Sequence, residues 1–422
     1  MVAAMSLLAG VRVLDLSRIL AGPWATQVLA DFGAQVIKIE RPGAGDDTRG
    51  WGPPYLRDAD GNDTAESAYY LCANRGKHSV AIDFTAPQGQ ALIRELVARC
   101  DVLVENYKVG GLAKYGLDYA SVQAVNPKLV YCSITGYGQD GPYAQRAGYD
   151  AAIQAIGGLM SVTGEPDGAP GARPQKVGVA ATDLMTGMYA ATAILAALRH
   201  AERTGVGQHI DLALLDTQVA WLANQASNYL VGGVVPGRQG TAHPNIVPYQ
   251  VMPASDGYFM LAVGNDAQYA RFCGVIGEPS LATDPRYATN AARVAHRAEL
   301  VPRLQQLLST RPAAEWLAAL DAVQVPCNPV NRIDQVFDDA QVQARGLRIE
   351  LPHASGREVP MVRNPLKFSA TPLRYERAAP VLGEHTRDVL IAVLGLDAAG
   401  IDALQADGVV QAANPTGTGA TR

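Results

Sequence analysis

Cysteine is scarce and scattered in this chain. Its five thiols, Cys72, Cys100, Cys132, Cys273 and Cys327, include no CxxC pair. That argues against a zinc site and a disulfide framework, and it suits a reducing compartment, the cytoplasm. The seven histidines are equally dispersed, with neither HExxH nor an HxH grouping. GxSxG and GxxxxGK[ST] are missing as well, so metal hydrolysis, serine hydrolysis and P-loop phosphoryl transfer lose their usual sequence support. Charged residues make up 18% of the chain, and a net charge of −5 gives no general attraction to nucleic acid. The longest apolar run reads as Ala190 to Leu198, too short for a bilayer. The opening MVAAMSLLAG has no basic n-region and is read as no signal peptide, so no membrane partner is expected.

What is present is enough apolar residue, 48% of 422, for a sizeable core and two domains. Val11 to Leu16 reads as a buried strand. Gly22-Pro23 then opens a helix that Gly33 closes, and Gln35 to Glu40 is a second strand, giving one βαβ unit. Strand Ser79–Asp83, helix Pro87–Arg99 and strands Val102–Glu105 and Leu129–Ile134 continue the alternation. The pattern predicts an α/β fold with a parallel sheet, whose ligands bind beyond the carboxyl ends of its strands.

Three of those strand ends, and one strand's lead-in, carry polar groups. They are the turn Arg18–Pro23 at a helix start, Arg41–Asp46, Glu105–Lys108 with Lys114 beyond it, and Asn74–Lys77 ahead of the Ser79 strand. Singly each reads as a solvated surface; together at one sheet edge they fit a phosphate-rich ligand. Glu40 sits where a ribose-binding acid would, but the first turn lacks GxGxxG, which excludes NAD there. Gly136-Tyr-Gly-Gln-Asp-Gly141 matches GxGxxG, yet Pro142 follows at once and no acid ends a strand about 20 residues on, so it is a glycine turn.

Gly178 to Leu198 reads as small residues, one acid and then a helix buried nearly all round. Asp183 has two readings there: an N-cap, or a carboxylate nucleophile, ionised at neutral pH because an unperturbed Asp titrates near about 4. Beyond it come a strand His209–Leu214, a helix Asp216–Tyr229 and a glycine- and valine-rich linker at Gly232–Gly240. A smaller α/β unit follows, with strand Tyr258–Val263 and helices Asp266–Ile276, Arg293–Leu308 and Pro312–Leu320. The expected divisions are a large domain over 1–230, a small domain over 241–330, a return to the large domain over 331–411 with a last helix Arg387–Leu394, and a disordered tail over 412–422.

Several blocks, in order and across nearly the whole chain, then carry a resemblance: VRVLDLSRILAGPWATQVLADFGAQVIKIERPGAGDDTRGWGPP, NRGKHSVAIDF, ENY, ITGYGQDGPYAQRAGYDA, TDLMTGMYA, RTGVGQHIDLALLD and LGEHT. They resemble the class III (CaiB/BaiF-type) CoA-transferases. GAGDDTRGWGPP, SITGYGQDGPYAQRAGYDA and GTAHPNIVPYQ are most similar to members that pass CoA from succinyl-CoA to glutarate. Oxalate-directed members have Gln where this chain has Leu20, and a glycine-rich loop not found here.

The resemblance implies a Rossmann-like large domain plus a smaller α/β domain in an interlocked homodimer. It implies an acyl-CoA and a carboxylic acid as substrates, with coenzyme A thioester as substrate and no tightly bound cofactor. The family's nucleophile falls on Asp183 and its active-site Tyr–acid pair on Tyr149 and Asp150. Its CoA contacts fall on Ile19, Leu20, Ala21, Arg41, Asn74, Arg75, Gly76, Lys77, Asn106, Tyr107, Lys108 and Lys114.

Transfer would run through an aspartyl anhydride and an aspartyl-CoA thioester. Oxyanion donors are expected from the Gly136–Gly141 turn and the backbone near Ala21. The small domain and the Gly232–Gly240 linker are expected to exclude water. For the second carboxylate of a dicarboxylate substrate the candidates are Arg18, Arg146 and His243. The rival is an α-methylacyl-CoA racemase-type proton transfer, whose acid also falls on Asp183. Its His falls on Tyr149, and a phenol titrating near about 10 is a poor base. A CoA-binding protein without catalysis is a third reading, disfavoured by the intact Asp183.

Overall fold

The computed structural model describes residues 6–58 and 60–413. It divides into two compact units. One takes in the chain up to Gly158, Val177–Ala223 and the chain from Gln343; the other takes in Leu159–Lys176 and Asn224–Val342.

The first unit is built on a seven-stranded sheet: β1 (Arg12–Asp15), β2 (Gln35–Glu40), β3 (His78–Ile82), β4 (Val102–Glu105), β5 (Val130–Thr135), β6 (Gln208–Ala213) and β7 (Val410–Gln411). The spatial order is β7-β3-β2-β1-β4-β5-β6. All neighbours are parallel except β7, which pairs antiparallel with β3. The order therefore reverses between β1 and β4, the switch point where a doubly wound sheet leaves a crevice at its carboxyl edge.

Successive residues of a strand face opposite sides, and both sides of this sheet are covered. Leu14, Ile37, Val80 and Leu103 face α2 (Pro87–Val97) and the helices after Thr386, through Leu92, Ile93, Leu96, Leu390 and Ile401. Val13, Val36, Val102, Val104 and Val130 face α1 (Ala21–Asp31) and α4 (Ala181–Thr204). Two shorter helices complete the surroundings of the site, α3 (Asp150–Ile156) and α5 (Leu214–Ala220).

Two glycine contacts determine where the site forms. A Cβ on Gly187 of α4 would lie 2.7 Å from the carbonyl oxygen of Ala21 and 3.1 Å from Trp24, so α4 approaches the start of α1 as closely as backbone permits. A Cβ on Gly136 would lie 2.6 Å from the Cα of Gly148; this contact brings the loop after β5 back against the strand end just before α3.

The second unit is centred on an antiparallel sheet of Tyr249–Ala254, Gly257–Ala262 and Cys327–Pro329. Its core holds Met252, Phe259, Leu261, Phe272, Leu300, Leu304 and Trp316.

Several sequence expectations shift. The helix expected over Asp216–Tyr229 is two, α5 and Ala223–Gly232, and the chain passes between units at Ala223, whose φ is 45°. The helix expected over Arg293–Leu308 is also two, broken at His296. Residues 159–176 and 331–342 belong with the second unit. Ala412 and Ala413 are tied down, donating to Gln405 Oε1 and the Gly383 carbonyl, because β7 fixes the chain beside β3. The rest of the expected tail, 414–422, lies outside the described residues. α4 is longer than its apolar centre suggested. By length and composition it could cross a bilayer, but half of its most apolar stretch is buried against α1 and the sheet.

Gly187→Ala is a test of the α1–α4 contact. Helix propensity alone would make the alanine variant more stable by about 1 kcal/mol. Contact with the Ala21 carbonyl reverses the sign, giving a net loss of about 1–3 kcal/mol in urea unfolding.

Candidate active site

At the switch point, the turn between β1 and α1 is held in an uncommon conformation. Ile19 has φ 71°, costly for a β-branched residue, and its N–H donates to Asp46 Oδ1 at 3.3 Å. Asp46 is gripped in turn by buried Lys38, whose Nζ donates to Asp46 Oδ2 at 2.9 Å and to the Ser17 carbonyl at 3.0 Å. These contacts hold the Asp46 carboxyl down at about 2; Lys38 and the Thr48 donors outweigh burial, which is the largest single influence and acts the other way. Across the crevice Asn106, just after β4, accepts the Arg18 N–H at 2.9 Å and donates to the Arg18 carbonyl at 2.7 Å. Among the described residues the N–H groups of Leu20, Ala21 and Gly22 have no partner. They form the open amino end of α1, where an anion is favoured.

The expected CoA contacts separate into two sets. Arg41, Lys108 and Lys114 are exposed cations at the carboxyl edge, Lys114 standing over the Tyr115 ring. Tyr107 packs edge-on against Phe84 and carries the Arg18 guanidinium 5.3 Å above its ring. Asn74, Arg75, Gly76 and Lys77 are different: their polar groups are taken up inside the protein. Lys77 is fully buried, donating to Asp15 Oδ2, the Pro23 carbonyl and Asn74 Oδ1. Asn74 also donates to the Tyr70 carbonyl. Arg75 is paired with both oxygens of Asp31, and the Gly76 N–H is taken by the carbonyls of Arg377 and Ala378. Their side chains brace the start and end of α1 from within, and a buried ion pair cannot also meet a phosphate in solvent.

The amino end of α4 brings two acids to one helix start, Asp183 within it and Asp150 against it. Its cap residue, Ala180, offers no side-chain bond, so Asp183 is not an N-cap but lies inside the first turn. The orphan N–H groups of Thr182 and Asp183 instead donate to Asp150 Oδ1, at 2.9 and 3.2 Å. Asp150 thus caps α4 from another helix, and its charge is favoured there by the helix dipole. Thr182 also donates to buried Gln218 on α5 at 2.7 Å.

No hydrogen-bond partner reaches the Asp183 carboxylate among the described residues. Burial, and after it the charge of Asp150, push the Asp183 carboxyl up to about 7. The expectation of a fully ionised group at neutral pH is therefore corrected: near pH 7 about half is protonated.

Tyr149 does not form a unit with Asp150. It stands at the cap of α3, 68% exposed, while Asp150 turns to α4. Arg146 is exposed, its guanidinium 3.9 Å above the Tyr143 ring. Arg18 is half exposed and already bonded to Asp47 at 2.7 Å. His243 belongs to the second unit, stacked on Tyr249, and burial plus Arg297 lower its pKa, so it is neutral.

The Gly136–Gly141 turn loses two of its expected oxyanion donors. Gly138 N–H goes to Thr135 Oγ1 at 2.9 Å, and Gln139 N–H goes to Asp211 Oδ2 at 3.1 Å. No group of three or more His, Cys, Asp or Glu among the described residues is placed to hold a metal.

Sequence reasoning missed Tyr69 and Trp51. Burial and then the Asp183 charge raise the Tyr69 phenol to about 12, so it stays protonated at neutral pH. Trp51 packs edge-on against its ring with centroids 5.1 Å apart. TRGW and SAYY lie within or beside the quoted blocks, but nothing in their spacing pairs them with Asp183. A cavity of about 370 Å³, lined by Asp31, Gln35, His78 and Arg377, opens at the amino ends of β2 and β3 and is not part of this cluster.

A doubly wound sheet with an open helix end at its switch point, and an unpartnered carboxylate at the start of a neighbouring helix, make a site suited to an anionic ligand. The family model of CoA-transferase family III matches residues 8–386. The chain belongs to that family, and it is an enzyme that transfers CoA groups. It is 55% identical over 388 residues to a succinate–glutarate CoA-transferase of Agrobacterium fabrum, covering 91% of this chain and 94% of that protein. It is 45% identical over 408 residues to a succinyl-CoA:glutarate CoA-transferase of Mus musculus, covering 97% and 91%. The crystal structure of a CAIB/BAIF family protein from Brucella suis superposes with a TM-score of 0.81 at 49% identity, covering 92% of this chain and all of that one.

Asp150→Asn is the test of the charge coupling. Asparagine keeps an oxygen for the two N–H groups but removes the like charge, so the acid limb of kcat/KM moves down by about one pH unit. Burial remains, so the limb does not fall to that of a free aspartate. The pH profile of transfer checks this.

Proposed function

We propose that the protein moves CoA from succinyl-CoA to a dicarboxylate, glutarate foremost, by transient acylation of Asp183. The observation that carries this reading is the unpartnered Asp183 carboxylate at the start of α4, whose raised pKa makes it a stronger nucleophile once ionised. The activities named for the two relatives support the substrates.

The ionised carboxylate attacks the thioester carbonyl, and CoA leaves as thiolate, giving a mixed anhydride. The thiolate then attacks the Asp183 carbonyl and releases succinate, leaving an aspartyl-CoA thioester. The carboxylate of the second acid attacks that thioester and expels the thiolate. The thiolate attacks the new acyl carbonyl, forming the product thioester and restoring Asp183. Each tetrahedral oxyanion needs donors, and the free N–H groups of Leu20, Ala21 and Gly22 are the ones left to supply them.

CoA phosphates meet Arg41, Lys108 and Lys114, with no resident cofactor or metal. Arg146 is the best candidate for a second substrate carboxylate: Arg18 already has Asp47, and neutral His243 offers no charge. The working protein is an interlocked homodimer in the cytoplasm. Large apolar side chains left exposed on the first unit, Ile156, Val179, Tyr189, Val219 and Trp221, fit burial against a second copy, and the five cysteines are free.

Incubation with succinyl-CoA and hydroxylamine should convert Asp183 to its hydroxamate, read by mass analysis of the Asp183 peptide. Asp183→Ala should lower CoA exchange between acids by at least about a thousandfold. Unmodified Asp183 with exchange at the normal rate would refute the reading. Light scattering should give twice the chain mass; a monomer with full activity would remove the dimer.

A further inference from the structure

Gln154 lies one turn after Asp150 on α3 and has no solvent exposure. A buried primary amide has to find partners for both ends. Its Nε2 donates to Asp150 Oδ2 at 2.7 Å, and its Oε1 accepts the Val177 N–H at 2.9 Å. The other oxygen of Asp150 takes the N–H groups of Thr182 and Asp183.

The segment 177–183, which leads into α4 and carries Asp183, is therefore tied at both ends to one face of α3. Residues i and i+4 of a helix stand side by side, which lets one short helix make both ties. The ionisable groups tied electrostatically to these bonds are Asp150 on α3, Asp183 on α4 and Tyr69 on the segment after Ser67.

We propose that Gln154 is a positioning residue of the transfer reaction: it orients the Asp150 carboxylate and anchors the lead-in to α4, and so fixes where the Asp183 carboxylate stands. It touches neither substrate nor reacting atoms. The inference rests on the role given above to Asp183.

Two substitutions separate this from a packing role. Gln154→Leu keeps the approximate volume, removes the amide that Asp150 Oδ2 and the Val177 N–H bond to, and so loosens the Val177 end of the segment. Gln154→Glu keeps the shape. While protonated, the introduced carboxyl can donate to Asp150 and accept from Val177; once ionised, it sets a carboxylate against a carboxylate and the donor is gone.

The experiment measures transfer from succinyl-CoA to glutarate by the full-length wild-type, Gln154→Leu, Gln154→Glu and Asp183→Ala proteins between about pH 6 and pH 9. In Gln154→Leu kcat should fall at least about tenfold at every pH, with KM for the acyl-CoA within about twofold of wild type. The ratio of Gln154→Glu to wild-type kcat should fall at least about tenfold across the range, being highest at the acid end. A Gln154→Leu enzyme with kcat within about twofold of wild type overturns the proposal. So does a Gln154→Glu ratio that is flat with pH, the result expected from lost packing alone. If Asp183→Ala still transfers CoA, the reading of Asp183 fails, and that outcome is distinct from either result at Gln154.

Discussion

One contact sets the character of the site: a carboxylate from α3 laid across the open amino end of α4. A helix start leaves N–H groups without partners, and its own cap residue ordinarily takes them. Here Ala180 cannot, and Asp150 does so from another helix. Asp183, the acid within the same turn, is thereby relieved of capping. It stays unpaired, half-buried and next to a like charge, which is what raises its pKa. Had Asp183 been the cap, bonds from backbone N–H groups would have lowered its pKa and occupied its lone pairs, making it a poorer nucleophile. The capping and nucleophilic readings of one acid are thus alternatives, and the capping job here belongs to Asp150, which leaves Asp183 free for the proposed one.

The opposite wall rests on buried charge. Lys38 with Asp46, and Lys77 with Asp15, are ion pairs at or near zero exposure, which is expensive in desolvation and contributes little net stability. Each lysine also donates to a backbone carbonyl of the β1–α1 turn, Lys38 to Ser17 and Lys77 to Pro23. Asp46 holds the Ile19 N–H in that turn. Hydrophobic packing could have supplied the stability, but it cannot hold a β-branched residue at positive φ. Directional bonds from fixed charges can, and the consequence is a turn whose next three N–H groups are left open.

Most of the sheet was legible because parallel strands buried on both faces read as apolar runs between helices, and β2 and β4 fall where the sequence puts them. The acid at the head of α4 was legible too. The environment of the cations was not. Asn74–Lys77 and Arg41 look alike in sequence, basic residues beside glycine, but Lys77 meets an aspartate sixty-two positions earlier, a contact invisible to local pattern. Tyr69 was hidden for the same reason: the Asp183 charge that acts on it lies far along the chain. The break at Ala223 was missed because a left-handed residue there is an alanine, where glycine would have announced it.

Helix α4 shows how composition alone misleads. Twenty-four residues of high apolar content satisfy the length and hydropathy of a membrane span. Its small residues serve a different end. Gly187 admits the Ala21 carbonyl, and Ala190, Ala191 and Ala197 lie in the layer shared with Ala25 and Leu29 of α1. Close approach near their starts brings the amino ends of two helices into one region of the sheet edge. One end is neutralised by Asp150 and the other is left open at Leu20–Gly22. Charge that develops on a reacting carbonyl oxygen is stabilised only by donors not already satisfied, so the open end of α1 can act on it while the closed end of α4 holds Asp183, the proposed nucleophile, in place. Widening that helix contact by a single methyl group at Gly187 would push the open end of α1 away from the turn that carries Asp183.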